Sequence, residues 1–362
     1  MKTIVQIVQH LRPGGIETMS LDLQKHFTSK GENAWIISLE GDMETAMEHW
    51  PRLRDYRERL LFLDKPEGLS ARFLLRLMRE LRRLKADVVH THHIGPLLYG
   101  GLARKALGID VHIHTEHDAW HLEDPRRRRL QRRLLRTCRP RLVADADSVG
   151  MALSRFLDLN DLVVIRNGID TRRLVAGEAR QARQQLGLPA DRRLLGCSGR
   201  LELLKGQKLL IDALPQLPAD VDIVLAGSGS YEKQLRELVD ARGLSSRVHF
   251  LGRVDDMPLF YQALDLFCLP SFKEGMPLSP LEAQACDIPA IVTDVGGSVE
   301  SLCPATGKAI PPGNSLAIVE AVDQLLNNPL PGSPRVFVQQ HASVDQMAEG
   351  YARLHGRVIE QV

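Results

Sequence analysis

The chain has 362 residues, too long for one ordinary core and matched to two domains of roughly 150–200 residues each. Its 44% hydrophobic and 25% charged residues are globular values and exclude a disordered, collagen-like or coiled-coil chain. The net charge of +2 hides an asymmetry, with 28 Lys/Arg against 23 Asp/Glu in residues 1–170 and 19 against 22 in residues 171–362. The two halves are therefore expected to meet different partners, and the excess is too small to imply nucleic acid.

In chain order, Met1–Val8 reads as a first strand broken by Gln6, with no cleavage-site pattern of a signal peptide. No apolar run approaches the ~20 residues that span a bilayer. Strands are predicted at Thr3–Val8, Ala34–Leu39, Asp87–His90, Val111–Thr115, Leu142–Ala144 and Leu162–Ile165, with helices such as Ile16–Lys30, Ala71–Lys85 and Arg126–Cys138 between them. The second half repeats the plan. Its strands are Leu194–Cys197, Ile223–Ala226, Val248–Leu251, Leu266–Leu269 and Ala290–Thr293. Its helices lie near Gly206–Leu214, Tyr231–Arg242, Pro258–Ala263, Pro280–Cys286 and Ser315–Leu326. Near-continuous apolar strands separated by helices predict parallel sheets covered on both faces, so the expected fold class is α/β, two doubly wound units in tandem. Such sheets bind ligands beyond the carboxyl ends of their strands, and two facing units would make a cleft.

The predicted division is 1–170, 171–345 and a closing helix in 346–362, where Met347, Tyr351, Leu354 and Val358 fall at helical spacing. The polar stretch Thr171–Asp191 is expected to carry the crossing, and Leu330–Pro334 is a second breaker. Five cysteines, odd in number and without a C-x-x-C pair, argue for reduced thiols in the cytoplasm and against structural zinc.

Glu274–Glu282 follows a predicted strand. Ser279 is expected as N-cap, with Pro280 at the first helical position and Glu282 at N3. The helix N-terminus would offer free N–H groups to a phosphate, with Glu274 and Glu282 on either side. The same residues serve equally as a capping box with no ligand role. In Gly199–Gly206, Arg200 and Lys205 flank a loop leading into a helix, where two cations suit a departing pyrophosphate or simply face solvent. Gly14 and Gly15, between the first strand and helix, allow close backbone approach or a plain tight turn, and do not form G-x-G-x-x-G. Seven of the thirteen histidines lie between His90 and His121, with no carboxylate or cysteine pattern completing a metal site. His117, in Thr115-Glu116-His117-Asp118, is the functional candidate among them; its alternative is a hydrogen-bonded structural histidine. Asp145-Ala146-Asp147 precedes a helix and reads as caps rather than a metal-binding D-x-D.

Taken in order, Gly14-Gly15, Thr115-x-His117-Asp118, Asn167-Gly168-Ile169-Asp170, the Gly-Arg-Leu…Lys-Gly of 199–206 and Glu274-x7-Glu282 resemble glycosyltransferase family 4, retaining enzymes of the GT-B fold. Ala226-Gly-Ser-Gly229, Val248-His-Phe-Leu-Gly252, Leu281-Glu-Ala…Pro289 and Asp294-Val-Gly-Gly297 resemble that family's second domain. The resemblance implies a nucleotide-sugar donor, a UDP- or GDP-hexose. Glu282 would hold its ribose, Glu274 its sugar, and Arg200 and Lys205 its diphosphate. Gly275, Met276, Pro277, Leu278 and Ser279 would line the sugar and phosphate site; Arg253 and Val254 would border the base. Gly14 and Gly15 would close on the phosphate, His117 would touch the sugar near its reacting carbon, and the closing helix would return to the first domain. No metal and no cofactor is implied, and retention in this family is assigned to front-face attack without a protein nucleophile. Asp287 stands where the family usually has Gly, and Asp tolerates the left-handed turn.

Nine arginines crowd residues 126–141, and Arg72, Arg76, Arg79, Arg82 and Arg83 lie among Phe73, Leu74, Leu77, Met78 and Leu81. These helices suit either an anionic membrane surface or a solvated face over an ordinary core. On the first reading the acceptor is a lipid-linked saccharide and the protein is peripheral at the inner membrane, in surface polysaccharide or lipopolysaccharide assembly. An epimerase, or a non-catalytic nucleotide-sugar binder, of the same fold is the alternative.

Overall fold

A computed structural model of the chain describes residues 1–159, 161–328 and 331–356. These form two compact units, one of Met1–Gly168 with the segment from Val344, the other of Ile169–Ser343.

The first unit is built on β1 (Thr3–Val8), β2 (Asn33–Ser38), β3 (Leu60–Phe62), β4 (Val88–His92), β5 (Val111–Glu116), β6 (Arg141–Ala144) and β7 (Val163–Val164). All its ladders are parallel, in the order β3-β2-β1-β4-β5-β6-β7. The order reverses direction between β1 and β4. Helices α1 (Gly15–Ser29), α2 (Met43–His49), α3 (Ala71–Leu84), α4 (Ile94–Leu107), α5 (Pro125–Cys138) and α6 (Asp147–Leu157) connect the strands. Phe73, Leu77 and Leu81 of α3 pack with Val5, Ile7, Ile37 and Val89 of the sheet. A closing helix, Val344–His355, belongs to this unit; it buries Met347 and Tyr351 and packs against α1. Leu354 is half-buried, and Val358 lies outside the described residues.

The second unit carries β8 (Arg193–Ser198), β9 (Val221–Ala226), β10 (Val248–Gly252), β11 (Leu266–Leu269), β12 (Ala290–Thr293) and β13 (Lys308–Ile310), parallel in the order β10-β9-β8-β11-β12-β13. Its helices are α7 (Ala179–Leu186), α8 (Gln207–Ala213), α9 (Glu232–Ala241), α10 (Met257–Gln262), α11 (Leu278–Ala285), α12 (Ser315–Asn327) and α13 (Pro334–His341). The order reverses between β8 and β11, so the loops after these two strands flank the crevice where open α/β sheets take ligands.

Thr171–Asp191, expected as a polar crossing, is packed into the second unit. It contains α7, and Leu174, Ala182 and Arg183 are buried. Arg183 donates to the carbonyls of Ala190, Arg192 and Ala263 and to the Asp265 carboxylate, and a guanidinium so fully partnered can be buried. Of the second breaker, Leu330 lies outside the described residues, and Ser333 caps α13.

Candidate functional site

In the second unit, Lys205 on the loop after β8 and Glu274 on the loop after β11 meet at the β8/β11 crevice. The loop after β8 runs from Gly199 through a short 3-10 turn, Leu203–Lys205, into α8. Gly206 sits at φ +69°, and a Cβ there would lie 2.0 Å from the Pro270 carbonyl oxygen, so only glycine lets this loop lie against the loop after β11. The contact brings two distant charges together. Lys205 Nζ donates to Glu274 Oε1 at 2.6 Å, and Ser271 Oγ donates to the same oxygen at 2.6 Å. Glu274 is buried. Gly296, at φ +52°, is a second enforced glycine, because a Cβ would fall 1.8 Å from the Glu274 carbonyl oxygen, and Gly297 N–H donates to the Gly275 carbonyl. The Asp294–Gly297 segment thus buttresses the Glu274–Gly275 loop from behind.

Helix α11 begins two residues earlier than its capping signals predict. Its first residue is Leu278 and its N-cap is Pro277, without a side-chain cap, so Ser279 is not the N-cap and Glu282 is the fifth helical residue rather than N3. The capping box does not form. Starting at Leu278 buries Leu278, Leu281 and Ala285 on one face, and that burial outweighs the hydroxyl cap. Glu282 accepts instead from the Tyr261 hydroxyl at 2.7 Å and lies 3.9 Å from the Arg173 guanidinium. Burial and the neighbouring Glu282 carboxylate both push the Tyr261 hydroxyl well above its ordinary pKa, so it stays a donor. The first-turn amides of Leu278 and Ser279 have no acceptor within the helix, and Pro280 has no N–H to offer. Gly275 and Met276 are buried beside them.

Arg200 is exposed and pairs with Glu202 at 2.9 Å. Arg253, also exposed, pairs with Asp255 at 3.1 Å, and Val254 beside it is half-buried after β10. Asp287 adopts φ +67°, the left-handed turn expected of it, and accepts from Ser333 Oγ at 2.6 Å.

In the first unit, Gly14 and Gly15 open α1 on the exposed loop after β1. Gly14 is extended at φ −171°, so the turn itself does not demand glycine there. His117 follows β5. Parallel register sets Glu116 beside Ala144, so the next residues, His117 and Asp145, are neighbours at the strand ends. His117 Nδ1 lies 3.0 Å from Asp145 Oδ2, and its Nε2 lies 3.1 Å from His92 Nδ1. Both ring nitrogens are therefore engaged within the unit. Asp145 is not the cap that the sequence suggests. Its N–H bonds the Glu116 carbonyl and extends the sheet, which turns the side chain inward, and Ala146 is the N-cap of α6. Burial pushes the Asp145 carboxyl above its ordinary pKa, against the pull of His117 and Asn167.

His90, His92, His112 and His114 form a buried polar layer. His90 Nε2 meets Thr115 Oγ1 at 2.8 Å, and Thr115 Oγ1 meets the Tyr351 hydroxyl of the closing helix at 3.0 Å. His114 Nε2 lies 2.8 Å from Glu116, which also accepts from Gln131. Burial depresses His90, His92 and His112. Among the described residues no group of three or more His, Cys, Asp or Glu is arranged to hold a metal ion. All five cysteines are buried with free thiols.

Sequence reasoning missed His92 and Asp145 beside His117 in the first unit, and Tyr261 and Ser271 beside Glu282 and Glu274 in the second. The register of β5 on β6 was the one available signal for Asp145, and it required the strand ends to be placed to the residue. Of the apolar companions of the basic helix α3, Phe73, Leu77 and Leu81 lie in the core with Leu74 and Met78 packed against it. Leu75 remains exposed among the arginines of this helix.

Two family models match in tandem: "Glycosyltransferase Family 4" over residues 13–173 and "Glycosyl transferases group 1" over residues 178–343. The chain is 37% identical over 155 residues to the lipopolysaccharide core biosynthesis mannosyltransferase LpsB of Rhizobium meliloti, covering 40% of this chain and 44% of that protein. It is 34% identical over 179 residues to the GDP-mannose-dependent monoacylated alpha-(1-6)-phosphatidylinositol monomannoside mannosyltransferase of Corynebacterium glutamicum, covering 45% and 46%. These matches span about half the length of the curated relatives. Among solved structures, Anabaena Alr3699/HepE in complex with UDP-glucose matches at a TM-score of 0.83 with 22% identity, over 98% of this chain and 99% of that one. The fold is that of the GT-B glycosyltransferases, and with both family models matched in order along it, the chain belongs to glycosyltransferase family 4.

Proposed function

We propose that the protein is a retaining glycosyltransferase that moves a hexose-type sugar from a UDP- or GDP-sugar to a saccharide acceptor, lipid-linked, in surface polysaccharide or lipopolysaccharide assembly. The observation that carries the reading is the second unit's crevice. Lys205, the Glu274 carboxylate and the open first turn of α11 meet at the β8/β11 reversal, with Glu282 four residues further along the helix. The bound diphosphate would draw on Lys205, Arg200 and the first-turn amides, which stabilise charge as the leaving group departs. Glu274 would face the sugar as its ring gains positive charge, and Glu282 would hold the ribose. The residues named need no metal for this neutralisation, and none is proposed.

The mannosyl relatives support the reaction class and favour a mannose-type donor among those to be tried. The arginine-rich faces of α3 and α5 support contact with an anionic surface or lipid phosphate. Among the described residues no helix is long and apolar enough to cross a membrane.

A panel of UDP- and GDP-sugars screened by thermal shift, followed by transfer to saccharide acceptors in excess chelator, tests the reading. Stabilisation by one donor and transfer with retained configuration are expected. Activity lost in chelator and restored by magnesium or manganese would refute metal independence. A donor sugar altered without acceptor would mark an epimerase, and binding without turnover would mark a non-catalytic binder.

A further inference from the structure

We propose that Asp145 is a positioning residue for sugar transfer, acting through His117; the proposal rests on the transferase reading above. Asp145 is 1% exposed, and a carboxylate is costly to bury unless its acceptor sites are used. One of its oxygens, Oδ2, accepts from His117 Nδ1 at 3.0 Å and from Asn167 Nδ2 at 2.9 Å, while Oδ1 has no hydrogen-bond partner among the described residues. An apolar side chain would satisfy the core here better. What the carboxylate supplies is direction. It is an acceptor only, so it holds the proton of a neutral His117 on Nδ1 and leaves Nε2 to accept from His92 Nδ1 at 3.1 Å. His92 is wholly buried and its ring packs on His90, with centroids 4.1 Å apart, so the second clamp on His117 is itself fixed. Held at both nitrogens, His117 presents a ring of fixed orientation at the strand ends rather than a mobile proton donor. Replacing the carboxylate by leucine removes the acceptor that holds the proton on Nδ1, which frees the ring to take the other tautomer.

The test begins with the wild-type protein, uniformly labelled at histidine nitrogen. Long-range proton–nitrogen spectra should show His117 as the Nδ1–H tautomer at neutral pH, and an Nε2–H tautomer would overturn the proposal. Kinetics of Asp145→Leu should then show a fall in kcat of at least tenfold, with donor KM and the calorimetric Kd for bare nucleoside diphosphate within twofold of wild type. The same spectra should report a changed His117 tautomer in this variant. Asp147→Asn, two residues away on an exposed side chain, should leave kcat within twofold. An unchanged kcat in Asp145→Leu, with the wild type active, overturns the role of Asp145 alone. A wild type that transfers no sugar from any donor overturns the transferase reading and this role with it. If Asp145→Leu does not fold, the wild-type tautomer decides the question: Nδ1–H upholds the proposal and Nε2–H overturns it.

Discussion

Breaking the Lys205–Glu274 pair should cost the second unit stability and reveal how strongly the two loops are tied. Lys205→Met removes the ammonium 2.6 Å from Glu274 Oε1 and leaves the carboxylate with Ser271 as its remaining donor. The Glu274 side chain is 8% exposed and Lys205 24% exposed, so water replaces the lost cation only in part. A hydrogen bond to a charged group contributes about 1.5–3 kcal/mol, and stranding a fully buried charge costs about 3–5 kcal/mol. With the lysine a quarter open to solvent, the lower range applies, and we expect about 2 kcal/mol. For a unit of this size that corresponds to about 4–8 °C in Tm. Glu274→Gln alone should cost less, because the freed lysine can turn to water. The double variant Lys205→Met/Glu274→Gln removes both charges and should be less destabilised than the sum of the single variants by about 1–2 kcal/mol. Urea unfolding of the full chain, followed by a probe in the second unit, measures the cycle. Single-variant effects that add within about 0.5 kcal/mol would show that the pair is a crossing of side chains with no energetic link, and the argument from their burial would fail.

Glu282 should bind ribose equally in ground and transition states, so Glu282→Gln is expected to raise donor KM and weaken the bare nucleotide by about 1–3 kcal/mol, with kcat near wild type. Glu274→Gln should instead cut kcat while bare nucleotide binds normally; calorimetry beside steady-state kinetics separates them, and the reverse pattern would invert the assignment. His112 is held by burial at about 3, against an ordinary 6.5, so its folded form resists a proton that the unfolded chain takes up. Its contribution is complete above pH 6.5 and drains as pH falls toward 3, so the stability lost between pH 7 and pH 5 should shrink by up to about 2 kcal/mol in His112→Gln. Urea titrations at the two pH values check this, and equal losses in variant and wild type would contradict it. The basic faces of α3 and α5 should bind liposomes containing anionic lipid more than neutral ones, in a manner weakened by moderate salt. Equal binding to both vesicles would leave a solvated face over an ordinary core.

The sequence alone carries the layered plan, because near-continuous apolar runs such as Thr3–Val8 and Leu266–Leu269 can be buried on both faces only in a parallel sheet with helices outside. It also determined that the loops after β8 and β11 would matter, since glycines and cations cluster where strands give way to helices. Short elements escaped it: β3 and β13 are three residues each and carry too few side chains to show a period. The partners of each charge were decided only by the tertiary structure. Lys205 and Glu274 are far apart in the chain and meet because Gly206 lets one loop rest on the Pro270 carbonyl. Glu282 looked like a capping residue until burial of Leu278 advanced the helix and turned the carboxylate to Tyr261. Asp145 looked like a cap as well. Local sequence describes which hydrogen bonds a side chain is able to make, but strand register and packing choose among them, and here that choice placed a buried carboxylate against His117.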